Sequence, residues 1–263
     1  MIDIGANLTN SRFNTDLDEV LVRAQNHGIE HIIVTGTNVA ESNAALALCE
    51  QHPMFLSCTA GVHPHDADQV NEQYLAELRH LAKQPYIKAI GECGLDFNRN
   101  FSGQAQQIAV FSAQINLAQQ LNLPLFLHQR DAFDLWLELL TPYIGTVPAM
   151  IAHCFTGTKQ QLADCLAANM YIGITGWICD ERRGQELYEM AKYIPLNRIM
   201  VETDAPYLLP RNINPKPKSN RNEPHYLTHV IQQLAQAMGV SAQTLSQHSR
   251  ANAKQVFKLG LTN

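Results

Sequence analysis

No stretch of about 18 uninterrupted apolar residues occurs in the 263-residue sequence, which excludes a membrane-spanning helix. Cysteine is sparse and dispersed: Cys49, Cys58, Cys93, Cys154, Cys165 and Cys179 form no C-x-x-C pair and show no dense spacing. Reduced thiols in a cytoplasmic protein are the simplest reading. No basic segment followed by an apolar one opens the sequence, so no secretory signal is read there. Neither G-x-G-x-x-G nor G-x-x-x-x-G-K-[ST] is present, which removes the usual glycine-rich phosphate loops. Positive charge is also short, with 19 Lys and Arg against 24 Asp and Glu and a net charge of −5. This balance argues against a surface coated in positive charge. It leaves nucleic acid open as a substrate, provided that binding is concentrated in one groove.

Hydrophobic residues make up 46% of the chain, enough for a large core. Apolar, often β-branched runs recur at 1–8, 30–38, 55–63, 87–94, 123–128, 149–154, 170–176 and 198–204. Segments with helical spacing lie between them, among them 15–28, 73–84, 107–122, 132–143 and 159–170. Eight strands alternating with helices imply parallel pairing and βαβ crossovers. No linker or low-complexity segment divides them. An α/β fold of the (β/α)8 TIM type is therefore expected, as a single domain over 1–263. Two further helical patterns, 224–239 and 241–259, add extra C-terminal helices. One segment breaks the rhythm: APYLLPRNINPKPKSNRNEP (205–224) is too proline-rich for a helix and long for an idle connection.

In such a barrel the C-terminal strand ends open onto the functional face. Read there, the strands present Asn7, Asn38, His63, Glu92, His128, His153, Thr175 and Asp204. One polar strand end means little. Glu92, His128, His153 and Asp204 together form a mixed imidazole and carboxylate set that suits Zn2+, Mn2+ or a related divalent ion. In GECGLDF (91–97), Glu92 would be costly inside a barrel without a cation, the alternative being a carboxylate bonded to backbone amides. In VETDAP (201–206), Asp204 is the candidate for positioning or deprotonating an attacking water. His63 points to the site, whereas His65 reads as a solvated loop residue. Arg130 either meets a phosphate or pairs with Asp131. The turn after His153 offers amides to an anion, or is simply capped by Thr156 or Thr158. Arg211, Lys216, Lys218 and Arg221 in the proline-rich loop, with ICDERRG (178–184), either form a solvated face or put positive charge at the same mouth, which would suit a phosphodiester.

The motifs GVHPHD, GECGLDF, LPLFLHQRDA, HCFTGT, YIGITGW and ETDAPYLLPR, in this order, resemble the TatD family of metal-dependent deoxyribonucleases, from the first strand to the loop after the eighth. Most members carry an H-x-H pair on the first strand, where this sequence has Asn7-Leu8-Thr9. The narrower TatD subgroup shares that N-L-T segment. The resemblance implies an amidohydrolase-like barrel and a 3′–5′ exonuclease of single-stranded DNA and RNA, with a role in DNA repair or nucleic-acid turnover. Magnesium is the usual ion for the family, although the ligand chemistry ranks Mn2+ or Zn2+ as tighter binders. Glu92, His128 and His153 match one metal position, and Asp204 matches the aspartate that binds metal or orients water. One or two ions are compatible with Asn7.

The expected assignment is thus Glu92, His128, His153 and Asp204 for metal, with Asp204, Glu92 and His63 catalytic. His63, Arg130, Arg211 and Asn7 are assigned to substrate, in a monomer. Two other classes remain to be tested: a small amide or ester hydrolase on the same barrel, and a catalytically silent binding protein. The absence of lysine at the fourth strand end weighs against the first. Loss of only the first-strand pair weighs against the second.

Overall fold

The computed structural model describes residues 1–261. Eight parallel strands run in the order β1 to β8 with helices between them, a (β/α)8 TIM-type barrel. The strands are β1 (Ile2–Ala6), β2 (His31–Val34), β3 (Leu56–Ala60), β4 (Ile87–Asp96), β5 (Leu125–Arg130), β6 (Met150–Ala152), β7 (Tyr171–Ile174) and β8 (Ile199–Val201). Six of the eight are buried along their whole length, which is why they read as near-continuous apolar runs. The helices are α1 (Leu17–Asn26), α2 (Val39–Gln51), α3 (Tyr74–Leu81), α4 (Gln104–Leu121), α5 (Phe133–Leu140), α6 (Lys159–Ala167), α7 (Gln185–Met190), α8 (Leu227–Met238) and α9 (Ala242–Val256). The last two are the two expected C-terminal helical patterns; α8 supplies the eighth helix of the barrel, so α9 is the one addition to it.

Packing divides the chain into two compact units. One holds Met1–Val34, Cys154–Ala167 and the chain from Tyr171 onward; the other holds Thr35–His153 and Ala168–Met170.

In the unit containing β3 to β6, asparagine and glutamine do much of the positioning. Asn38, one of the polar strand ends, caps α2 by accepting from Glu41 N–H over 2.9 Å. Its amide also donates to Asp66 over 2.8 Å. Helix α4 buries two glutamines seven residues apart, hence on one face. Gln107 exchanges two hydrogen bonds with the backbone of Asp96, at 2.9 and 3.1 Å. Gln114 does the same with Val62, at 2.8 and 3.0 Å. Each amide satisfies backbone groups that would otherwise be orphaned in the core.

In the other unit, β8 runs on to meet β1. Asp204 N–H donates to Gly5 O at 2.8 Å, Asn7 N–H donates to Ala205 O at 2.7 Å, and Ala6 bridges Ala205. The 205–224 loop forms no helix before its last residue, as its prolines require. Charge ties it to α1 instead. Arg221 donates to both Asp16 oxygens and to Glu223 at 2.7 Å each, and Arg23 joins the same acids from α1. Arg221 therefore serves loop anchorage, and its charge is already spent. Arg221→Ala is expected to cost about 1–2 kcal/mol of stability, seen as a lower urea midpoint with an unchanged slope.

Candidate metal centre and the residues around it

Strand β4 carries the central acid. Gly91 and Gly94 flank it with φ of 137° and 152°. A Cβ at Gly94 would stand 1.8 Å from His128 O, so glycine here lets β4 press against β5. Glu92 is buried between them, and three imidazole nitrogens gather on its Oε1. His128 Nδ1 lies at 2.9 Å, His63 Nε2 at 3.4 Å and His153 Nε2 at 3.6 Å. Burial alone would raise the Glu92 pKa. His153 and His63, with the bond from His128, outweigh burial and hold the carboxyl well below its ordinary range.

His128 lies between two carboxylates. Its Nε2 is 3.5 Å from Asp96 Oδ2 but lacks hydrogen-bond geometry, so this buried nitrogen is left without a partner. Burial lowers the His128 pKa, yet Asp96 and Glu92 more than offset that and raise it. His63 differs. It accepts from His65 N–H at Nδ1 over 3.1 Å, which leaves the ring proton of the neutral tautomer on Nε2. Burial, the largest effect on it, lowers its pKa against the opposing pull of Glu92. His63 thus presents Nε2 toward Glu92, 3.4 Å away.

Two residues not assigned to the site from the sequence join the cluster. His65, expected to be solvated, donates from Nε2 to Asp96 Oδ2 over 2.6 Å. Asp96 also receives the N–H groups of Asn98 and Arg99, at 3.0 and 2.8 Å. Burial pushes the Asp96 carboxyl up, but His128, the Arg99 amide and His65 together hold it well below the usual range. A carboxylate aimed at the far nitrogen of a ligating histidine is the common second partner in metal sites. The H-x-H spacing of His63 and His65 was the available signal.

The donor set fits a divalent cation. One buried carboxylate oxygen ringed by three imidazoles is poor as a hydrogen-bonded core and natural as part of a ligand set. Ligand atoms of His63, Glu92 and His128 all lie within 4.8 Å of one another. His63, Glu92 and His128 could therefore hold an ion between them, and His153 Nε2 lies 3.6 Å from the same Glu92 oxygen.

In the other unit, Asn7 Nδ2 donates to Asp204 Oδ1 over 2.9 Å. Asp204 adopts a left-handed φ of 55° just past β8. Beneath it, Asp3 accepts from Thr203 N–H at 2.9 Å and Thr203 Oγ1 at 2.5 Å, while Asn222 donates to Thr203 O at 2.9 Å. Burial pushes the Asp3 carboxyl up to about 7, against the hydrogen bonds from Thr203. The unfolded chain then ionises Asp3 first, so its contribution is present below about pH 4 and is lost as pH rises to about 7. Asp3→Asn mimics the neutral form. Its stability advantage over the wild type is expected to grow by up to about 4 kcal/mol between pH 4 and 7 and stay level above, in urea titrations across that range.

The remaining assigned residues fall as follows. Arg130 is exposed at the end of β5, and Asp131 is engaged by Asn98 Nδ2 at 2.7 Å. Arg211 pairs with Glu181 at 3.3 Å and lines a cleft of about 490 Å3 together with Trp177, Arg183, Lys216 and Lys218. The 178–184 and 205–224 loops thus share one basic-rimmed cleft. Thr158 and Gln161 form a reciprocal cap at 3.3 and 2.9 Å at the start of α6, so the turn after His153 is explained as capping. Thr175 likewise caps a turn, accepting from Trp177 N–H at 3.2 Å.

Comparison with known proteins gives one consistent result. The model of the family described as TatD related DNase matches residues 2–258. The chain is 51% identical over 259 residues to a 3′-5′ ssDNA/RNA exonuclease TatD from Pectobacterium parmentieri, covering 98% of this chain and 100% of that one. Its counterpart from Edwardsiella piscicida shows the same identity and coverage. Among solved structures, a TatD family hydrolase from Entamoeba histolytica superposes with a TM-score of 0.90 at 28% identity, covering 98% of both chains. A TatD homolog from Escherichia coli K12 gives 0.89 at 25% identity, with the same coverage.

Proposed function

Because the chain belongs to the TatD-related DNase family and is a hydrolytic nuclease, we propose that it removes nucleotides from the 3′ end of single-stranded DNA and RNA in a metal-dependent reaction. The observation that carries this reading is the convergence of His63, His128 and His153 on one buried Glu92 oxygen. A divalent ion held by Glu92, His128 and His153 would polarise the scissile phosphoryl group and acidify water.

The chain's own residues supply the rest. His63 donates from Nε2 to a phosphate oxygen. Asp96 and His65 fix the far side of His128. Asp204 orients the attacking water and takes its proton, with the Asn7 amide keeping the carboxylate aligned. Arg130 and Arg211 hold flanking phosphates, in keeping with their exposure on strand-end segments. Asp204 is also the candidate for completing the ligand set, and the Asn7 amide is a weak oxygen donor for any second ion.

Imidazole-rich ligation favours Mn2+ or Zn2+ in affinity, while Mg2+ works if substrate phosphate adds oxygen ligands. None of the six cysteines is in a disulfide and five are buried, which supports a reducing, cytoplasmic setting; a role in repair or turnover of nucleic acid rests on the family alone. The whole chain is taken to work as one domain and as a monomer. The test is digestion of a 5′-labelled single-stranded oligonucleotide by metal-stripped protein, with Mg2+, Mn2+ or Zn2+ restored. A ladder shortening from the 3′ end, abolished by chelator, is expected. An intact oligonucleotide under every ion, with folded protein, would reject the reading.

A further inference from the structure

Phe101 is the most exposed phenylalanine-sized ring near the metal centre, 65% accessible on the loop between β4 and α4. A single exposed apolar side chain carries little meaning alone. Its mounting is what distinguishes this one. The ring stands edge-on to His65, with centroids 4.8 Å apart and planes at 73°. His65 in turn stands 4.3 Å from His63 and 6.2 Å from His128. Phe101 therefore begins a row of rings that ends at Glu92.

The loop is also fastened on both sides of the ring. Asp96 Oδ1 accepts from the N–H of Asn98 and Arg99, and Asn100 Nδ2 donates to Phe97 O over 2.6 Å. Beyond the ring, Ser102 Oγ donates to His65 O at 2.8 Å and accepts from Asp68 N–H at 3.0 Å. Gly103 N–H donates to Asp68 at 2.9 Å, and Gln107 donates to Ser102 O at 2.9 Å. A loop held by this many bonds presents the Phe101 ring to solvent in a fixed place, while Phe97 at its start is half-buried. Arg99, two residues earlier in the same loop, is exposed and donates its backbone N–H to Asp96.

We propose that Phe101 is a nucleobase platform beside the metal centre, a subsite that rests on the nuclease reading above and deepens it. Its ligand is an unpaired base of one of the two nucleotides joined by the scissile phosphodiester. Every base has a π-face, so such a platform is tolerant of sequence and indifferent to the 2′-hydroxyl. It also requires a base free of its stacked and paired neighbours. One fixed ring thereby accounts for acceptance of both DNA and RNA and for discrimination against duplex ends.

The test compares three 5′-labelled oligonucleotides: intact, abasic at the 3′-terminal position, and abasic at the penultimate one. Both kcat/KM with a divalent ion and anisotropy-measured binding in EDTA are followed. For the wild type, one of the two abasic sites is expected to lower kcat/KM and affinity by about 5- to 150-fold. Phe101→Ala should lose that discrimination and Phe101→Trp should keep it; circular dichroism checks the fold of both. A Phe101→Ala protein that still discriminates, or a wild type indifferent to both abasic positions, would overturn the platform. Binding that depends on Phe101 without any hydrolysis would uphold the platform and remove the nuclease reading, so the two fail separately.

Discussion

Glu92→Gln is expected to lower oligonucleotide hydrolysis by at least about 10^3-fold under saturating metal, with the fold retained. The substitution keeps volume and one acceptor oxygen but removes the only charge that His63, His128 and His153 share. A neutral amide cannot balance a divalent cation, so affinity for Mn2+ should fall along with the rate. The fold should persist because the amide can still be hydrogen-bonded at a buried position, and the strand is set by the flanking glycines and by β5. Calorimetric titration with Mn2+ and single-turnover hydrolysis are the paired measurements. A variant that binds Mn2+ like the wild type and cleaves at full rate would remove Glu92 from the centre.

The second large effect concerns Asp204. Asp204→Asn should cost about 10^2- to 10^4-fold in the hydrolytic step, the usual range for loss of a positioned proton acceptor. The Asn7 hydrogen bond allows charge and geometry to be separated. Asn7→Ala leaves the carboxylate without its 2.9 Å donor and should cost less, about 10-fold, as a loss of alignment. Asn7→Asp sets two carboxylates against each other, which raises their pKa values and should move the acidic limb of the pH–rate profile upward. Combining Asn7→Asp with Asp204→Asn restores a donor and an acceptor with their positions exchanged. Stability should recover in that double variant while activity stays low. Full recovery of activity would show that only the hydrogen bond matters and that Asp204 takes no proton.

Much of the architecture was legible because parallel strands buried on both faces read as plain apolar runs, and polar side chains at their ends stand out. His128, His153 and Glu92 were visible for that reason. Partnerships that cross long sequence separations were not. Asn7 and Asp204 are 197 residues apart and meet through the register of β1 against β8, which no local pattern encodes. Arg221 read as a basic loop residue because its partner Asp16 lies 205 positions away. His65 and Asp96 were close enough to the motifs to be noticed, but their bond depends on a turn beginning at Pro64 that folds His65 back. The α4 glutamines left a fainter trace, two amides seven apart on an otherwise apolar face.

Those two glutamines make α4 a length standard for the centre. Gln107 and Gln114 stand two turns apart, about 10–11 Å along the axis. One is locked to the residue that backs His128 and the other to the residue that precedes His63. The spacing between the two halves of the cluster is thus copied from the pitch of a helix that contributes no ligand. A single residue inserted between them would turn one glutamine through about 100° and detach one half. The helix can therefore diverge freely on its outer face, whereas its phase over those two turns is fixed by the tolerance of the chemistry it never touches.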